Sequence, residues 1–164
     1  MGFWDKVKQG FTQMTGGGGN MQIALQNPQV KRGEALNVTI TLNATAPLTG
    51  KSVNVEVTGI ETIKYKVQVV STTPGSSTQG ALAPTPQYND ETKDNQLFHT
   101  TVPVDGAVSM QQGETKTYTA SVPIPENVQP TYTGTDAKHT WHVRAYLDIS
   151  MGADIDASAE FVVV

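Results

Sequence analysis

Three aspartates near the C-terminus, Asp148, Asp154 and Asp156, form the one carboxylate cluster in this chain with a spacing that suggests chemistry. Carboxylate oxygens are what a hard cation such as Ca²⁺ takes as ligands. The calcium-loop pattern, with its central glycine and terminal glutamate, is absent. The alternative is a solvated acidic tip screened by salt. The histidines His99, His139 and His142 are scattered. His139 and His142 stand three positions apart, and on a strand they would point to opposite faces, so they do not make a zinc site. No serine sits in a Gly-x-Ser-x-Gly elbow, and no phosphate loop or dinucleotide fingerprint occurs. Gly16–Gly19 precedes a strand rather than a helix, which rules out a phosphate cradle. The chain has no cysteine, so thiolate metal sites, cysteine nucleophiles and disulfides are all excluded. These residues point away from an enzyme, and no cofactor is expected.

The elements that must position the aspartates are two alternating runs. In the first, Trp141, Val143, Ala145, Leu147 and Ile149 alternate with His142, Arg144, Tyr146 and Asp148. In the second, Ile155, Ala157, Ala159, Phe161 and Val163 alternate with polar neighbours. A period of two marks half-buried strands. Residues opposed on antiparallel strands share a face, so odd numbers pair with odd. A loop of Met151-Gly152-Ala153 meets that condition. It predicts Ile149 opposite Ile155, Leu147 opposite Ala157, Val143 opposite Phe161, Arg144 opposite Glu160, and Asp148 opposite Asp156.

Earlier in the chain, Met21–Leu25 reads as the first strand, ended by Asn27-Pro28. Leu36, Val38, Ile40 and Leu42 form a clear one-side-buried strand. Val53, Val55 and Val57 form another, which Gly59 punctuates. Ile63, Tyr65, Val67 and Val69 follow as a further strand with Lys64, Lys66 and Gln68 outside. A short strand from Leu97 through Val104 and one over Thr115–Val122 complete the set. Short strands, Gly/Pro-rich connections and no helix in the body predict an all-β antiparallel β-sandwich over residues 21–164. At 164 residues the chain is long enough for one domain with a sizeable core. A net charge of −4 argues against a nucleic-acid-binding surface. No apolar run approaches the ~20 residues needed to span a bilayer, and the N-terminus lacks the apolar centre of a secretory signal. A cytoplasmic protein is the expectation, peripheral to a membrane at most.

Two stretches stand apart from the sandwich. Residues 1–15 read as a short amphipathic helix, with Phe3, Trp4, Val7, Phe11 and Met14 on one side. So short a helix does not hold itself in water. Its stripe must lie on its own sandwich, on a partner chain or in a membrane interface. Residues 16–20 read as a flexible glycine linker. Residues 71–96 show no periodicity and read as a long loop, either a tolerated insertion or a partner-binding segment presenting Pro84, Tyr88 and Asp90.

The body resembles the N-terminal half of the arrestin-like family. The residues that carry the resemblance are Arg32-Gly33-Glu34, Leu48-Thr49-Gly50 leading to Val53-Asn54-Val55-Glu56-Val57-Thr58-Gly59, Gln112-Gly113-Glu114, Val122-Pro123-Ile124-Pro125, Pro130-Thr131-Tyr132-Thr133-Gly134 and His142-Val143-Arg144-Ala145-Tyr146-Leu147. The opening Met1-Gly2-Phe3-Trp4-Asp5-Lys6-Val7, with the glycine step after it, looks like the bacterial sporulation-control branch. The resemblance implies an immunoglobulin-like sandwich, no catalysis and a scaffold role through protein partners. Arrestins carry two such sandwiches in tandem and this chain one, so phosphorylated-receptor binding is not implied. The expectations are therefore a protein-interaction module docked through its helix and long loop, a self-assembling subunit forming homo-oligomers, or a Ca²⁺- or carbohydrate-binding sandwich.

Overall fold

A computed structural model of the chain describes residues 14–70 and 85–164. The strands are β1 (Met14–Gly16), β2 (Gly19–Leu25), β3 (Gln29–Val30), β4 (Ala35–Ala44), β5 (Leu48–Gly50), β6 (Ser52–Val69), β7 (Gln87–Asp105), β8 (Val108–Met110), β9 (Thr115–Pro123), β10 (Tyr132–Thr133), β11 (Ala137–Asp148) and β12 (Ile155–Val163). One sheet runs β1-β2-β4-β9. The other runs β3-β12-β11-β6-β7, with β10 beside β11. β5 and β8 form a small separate pair. The ladders are antiparallel except the short one between β3 and β12.

The alternation read from the sequence sets the packing. Leu36, Val38, Ile40 and Leu42 of β4 meet Val53, Val55 and Val57 of β6, the odd-numbered residues of β11 from Trp141 to Leu147 and those of β12 in one buried cluster. Trp141 sits in it with 1% of its surface exposed. Its indole Nε1–H donates to the Gln129 carbonyl at 3.1 Å, which satisfies the one polar atom the ring carries inside. Phe98 and Phe161 flank it, with ring centroids at 5.2 and 5.8 Å.

Three expectations need correction. The closing hairpin keeps the predicted faces, but its register is shifted by two residues. Leu147 faces Ile155, Trp141 faces Phe161, Val143 faces Ala159, and His142 rather than Arg144 faces Glu160. The turn is longer than three residues because β11 stops at Asp148, which stays paired with Ser52 of β6. The Asp154 carboxylate then closes the connection by accepting the Ile149 N–H at 3.1 Å. Asp148 therefore does not oppose Asp156.

The glycine step is a tight turn rather than a flexible linker. Gly16 pairs with Gly19, and Gly17-Gly18 bridge β1 to β2. Gly18 has φ 102°, a left-handed conformation suited to glycine. Its carbonyl accepts the N–H groups of Thr45 and Ala46. Met14 and Thr15 thus belong to a strand, not to the end of a helix; Phe3, Trp4, Val7 and Phe11 lie outside the described residues.

The predicted loop is also shortened. Gln87–Gln96 continues β7 as strand, and Gly59 does not end β6, which runs on to Val69. A register shift between Gly59 and Ile60 absorbs the irregularity, Gly59 facing Phe98 and Ile60 facing Gln96. Leu97 is the extra residue of this bulge. Residues 71–84, Pro84 among them, lie outside the described residues.

Trp141→Ala removes the largest buried side chain among the described residues and takes away the indole donor to the Gln129 carbonyl. Urea denaturation should show a loss of about 3–5 kcal/mol in unfolding free energy.

Candidate interaction surface

β6 and β7 outrun the sandwich. β11 covers β6 only as far as Ile63, which pairs with Ala137. Beyond it, apart from the Lys64 N–H, which donates to the Asp136 carbonyl at 2.7 Å, the ladder of Lys64–Val69 is with Thr92–Gln87 of β7. The result is a two-stranded ribbon in which every residue from Lys64 to Val69 and from Gln87 to Asp94 is exposed. Register assigns its faces. Tyr65, Val67 and Val69 oppose Glu91, Asn89 and Gln87, while Lys64, Lys66 and Gln68 oppose Thr92, Asp90 and Tyr88. The odd-numbered face carries on the line of Val53, Val55 and Val57, past the point where the opposite sheet covers it. The even-numbered face is polar, with Lys66 across from Asp90. Tyr65 Oη donates to Glu91 Oε2 at 3.0 Å, and that bond to a carboxylate pushes the phenol's pKa up.

The outer face of the β11 sheet holds a charge cluster centred on Arg144. Its Nε donates to Asp156 Oδ2 at 2.6 Å, with Glu56 and Asp154 carboxylates at 3.7 and 4.0 Å. The guanidinium carbon lies 4.7 Å from the centre of the Tyr146 ring. Burial works against the Arg144 charge, but the Asp156 hydrogen bond and charge, with Glu56 and Asp154, outweigh it and raise its pKa. His99 Nε2 is 2.6 Å from Glu56 Oε1 on the same face. Two of the three aspartates are thus turned toward an arginine and are not gathered around a vacant centre. Asp148 stands apart on the ladder with β6. Among the described residues no group of three His, Cys, Asp or Glu side chains is placed to hold a metal ion. The cluster orients side chains across three strands; at partial exposure such pairs add little stability.

His139 and His142 do point to opposite faces, and they differ in character. His142 is on the outer face, with Glu160 at 3.8 Å. His139 is fully buried. Its Nδ1 is 3.1 Å from the Pro130 carbonyl, which makes that nitrogen the donor and leaves Nε2 the unprotonated one. Nε2 has no hydrogen-bond partner and faces the backbone of Gly59, where an added Cβ would come within 3.2 Å. A side chain there would press on the His139 ring and on Phe98, both of which would have to give way by a few tenths of an ångström. The ring packs edge-on to Trp141 and stacks near Tyr132, whose hydroxyl donates to Glu61 Oε1 at 2.6 Å. Beside these residues a shallow cleft of about 350 Å³ opens between Leu97 and Phe98 of β7 and the Pro125–Gln129 segment.

Of the residues the sequence singled out, Tyr88 and Asp90 share the polar face of the ribbon, two positions apart. Met14 is in β1, opposite Met21, on the other sheet. The structure therefore does not bring Met14 together with Tyr88 and Asp90. Sequence reasoning missed the ribbon itself, because Asn89–Asn95 has no apolar periodicity and is held by backbone pairing with β6 and by cross-strand hydrogen bonds from Tyr65 to Glu91 and from Thr62 to Asp94. No helix among the described residues is long and apolar enough to cross a membrane.

Desolvation of the buried ring lowers the His139 pKa, against the smaller opposing pull of Pro130 and Glu61. The folded state therefore resists the proton that the unfolded chain accepts. This contribution is fully present above the ordinary histidine value of about 6.5 and is lost as pH falls below it, toward the depressed folded value. Unfolding free energies measured from pH 8 down to 5 should fall more steeply for the natural protein than for His139→Gln.

No family model and no curated protein matches the sequence. A solved structure is similar in fold: Spo0M, the sporulation control protein of Bacillus subtilis, with a TM-score of 0.59 over 90% of this chain at 16% identity. The match covers 49% of that protein, so the chain spans about half its length. The likeness supports an arrestin-like β-sandwich.

Proposed function

We propose that this arrestin-like sandwich is a non-enzymatic interaction module that meets a protein partner through its β6–β7 ribbon. The observation that carries the reading is the ribbon itself. Two-stranded ribbons are marginal on their own in water, so a ribbon exposed on both faces beyond the core suits a surface that another molecule completes. Tyr88, at 57% exposure, and the Lys66–Asp90 pair supply an aromatic anchor and opposed charges on one face. The Phe3–Phe11 segment, without Met14, which β1 takes up, is a second docking element, for a partner chain or a membrane surface. The fold likeness to a sporulation control protein favours a regulatory role over catalysis, and a cytoplasmic location fits it.

A photoreactive phenylalanine in place of Tyr88, irradiated in cells that natively make the protein, should yield discrete crosslinked species. The same group at Thr117, exposed on the β9 sheet, should not. Asp90→Lys should reduce the Tyr88 products several-fold. Equal products from both positions, unaffected by Asp90→Lys, would overturn the reading.

A further inference from the structure

The ribbon has a backbone edge as well as two faces. β7 is the last strand of its sheet, and among the described residues no strand lies on its far side. In an antiparallel pair every second residue turns its N–H and C=O away from the partner strand. Among the described residues, Gln87–Gln96 makes no backbone hydrogen bond outside its ladder with β6. Such an edge is a template for another strand unless it is blunted. The core end of β7 is blunted by the bulge at Leu97 and by Pro103, which has no N–H to give. Gln87–Gln96 holds no proline and runs against β6 without a register shift.

Charge decides what this edge accepts. Two copies pairing edge to edge about a two-fold axis match residues outward from a central position. Centred on Asp90, Glu91, Lys93 or Asp94, that residue meets its own copy. Centred on Thr92, Glu91 meets Lys93, but Asp90 meets Asp94 on both sides of the axis. Each register through the middle of the edge therefore opposes like charges, which is destabilising. The edge disfavours its own copy and suits a strand of opposite charge. On the face that holds Tyr88, β7 carries Asp90, Thr92 and Asp94, carboxylates with no cation in the row. Lys66 flanks Asp90 from the β6 side only, and Asp94 has across from it the Thr62 hydroxyl, which donates at 2.6 Å.

We propose that the Gln87–Gln96 edge takes up an extended basic segment of a protein partner as an added strand. Lys or Arg side chains four positions apart in that segment lie against Asp90 and Asp94, which are themselves four apart. Main-chain hydrogen bonds hold the strand, and the carboxylates select it. This rests on the reading that the ribbon meets a protein partner, and it names that partner's chemistry.

NMR of the full chain tests this with the peptide acetyl-Thr-Lys-Val-Thr-Val-Lys-Thr-amide, whose face pattern is the same in either direction. In the free protein every second amide of Gln87–Gln96 should exchange fast, and saturating peptide should slow that set. N-methylation of alternate peptide residues should abolish the effect in one phase and spare it in the other. Replacing both peptide lysines by glutamate should weaken binding several-fold. So should Asp90→Asn together with Asp94→Asn, in a protein whose circular dichroism spectrum is unchanged. If all the Gln87–Gln96 amides are already protected in the free protein, the edge is occupied by the chain itself or a second copy, and the proposal is overturned. It is overturned as well if the peptide at millimolar concentration slows no ribbon amide, or if the glutamate peptide binds equally. Tyr88 crosslinks that persist alongside any of these results remove the added strand alone and leave the partner reading standing.

Discussion

β6 cannot slip by one residue against β11 without turning Val53, Val55 and Val57 out of the core and Asn54, Glu56 and Thr58 in. The ladder between them runs from Val53–Leu147 and Asp148–Ser52 at one end to Ala137–Ile63 at the other, and it is the constraint on which the rest depends. It sets the level at which Trp141 meets Phe98 and Phe161. It places Arg144 directly opposite Glu56, which draws the charges of β6, β11 and β12 into one cluster. It also decides where β6 loses its neighbour and the ribbon begins.

The ribbon follows from unequal strand lengths. β6 and β7 have 18 and 19 residues, while β11 has 12, so β6 and β7 must run on with only each other as partners. The two strands stay in unbroken register from Ile60–Gln96 to Val69–Gln87, and in that ladder a polar segment such as Asn89–Asn95 keeps strand geometry with no apolar face of its own. The bulge at Leu97 and the backbone of Gly59, opposite Trp141, lie on the core side of the junction at Ile63 where β11 leaves β6. Buried His139 fills that junction from the β11 side, and Tyr132 and Glu61 link it outward. Core and projection are therefore joined through an aromatic patch of Phe98, His139 and Trp141.

The carboxylates show how context reassigns a residue. Asp156 and Asp154, read along the chain, stand near Asp148 as a possible cation site. In the folded chain the first meets the Arg144 guanidinium, and the second meets both Arg144 and the Ile149 N–H. Asp148 is carried away by its own strand. A cation site needs oxygens converging on one point, and here they converge on an arginine and a turn.

How much was legible depended on whether one face of a segment was buried. The all-β character, the faces of β4, β6, β11 and β12, the opposite orientations of His139 and His142, and the core membership of Trp141 and Phe161 follow from alternation, because one buried face imposes a period of two whatever the partner. Three features did not follow from it. The closing hairpin's register depended on a side chain, Asp154, capping the loop, and parity alone allows any shift of two. The strand character of Gln87–Gln96 depended on pairing with a distant segment, since its own residues, unlike Tyr65, Val67 and Val69 across from them, carry no apolar alternation. The Gly16–Gly19 turn depended on β2 offering a free edge to β1. Local chemistry determines which side of a strand is buried; which strands meet, at what level and how far they run is decided only when the whole sheet is assembled, because those are relations between residues far apart in the chain.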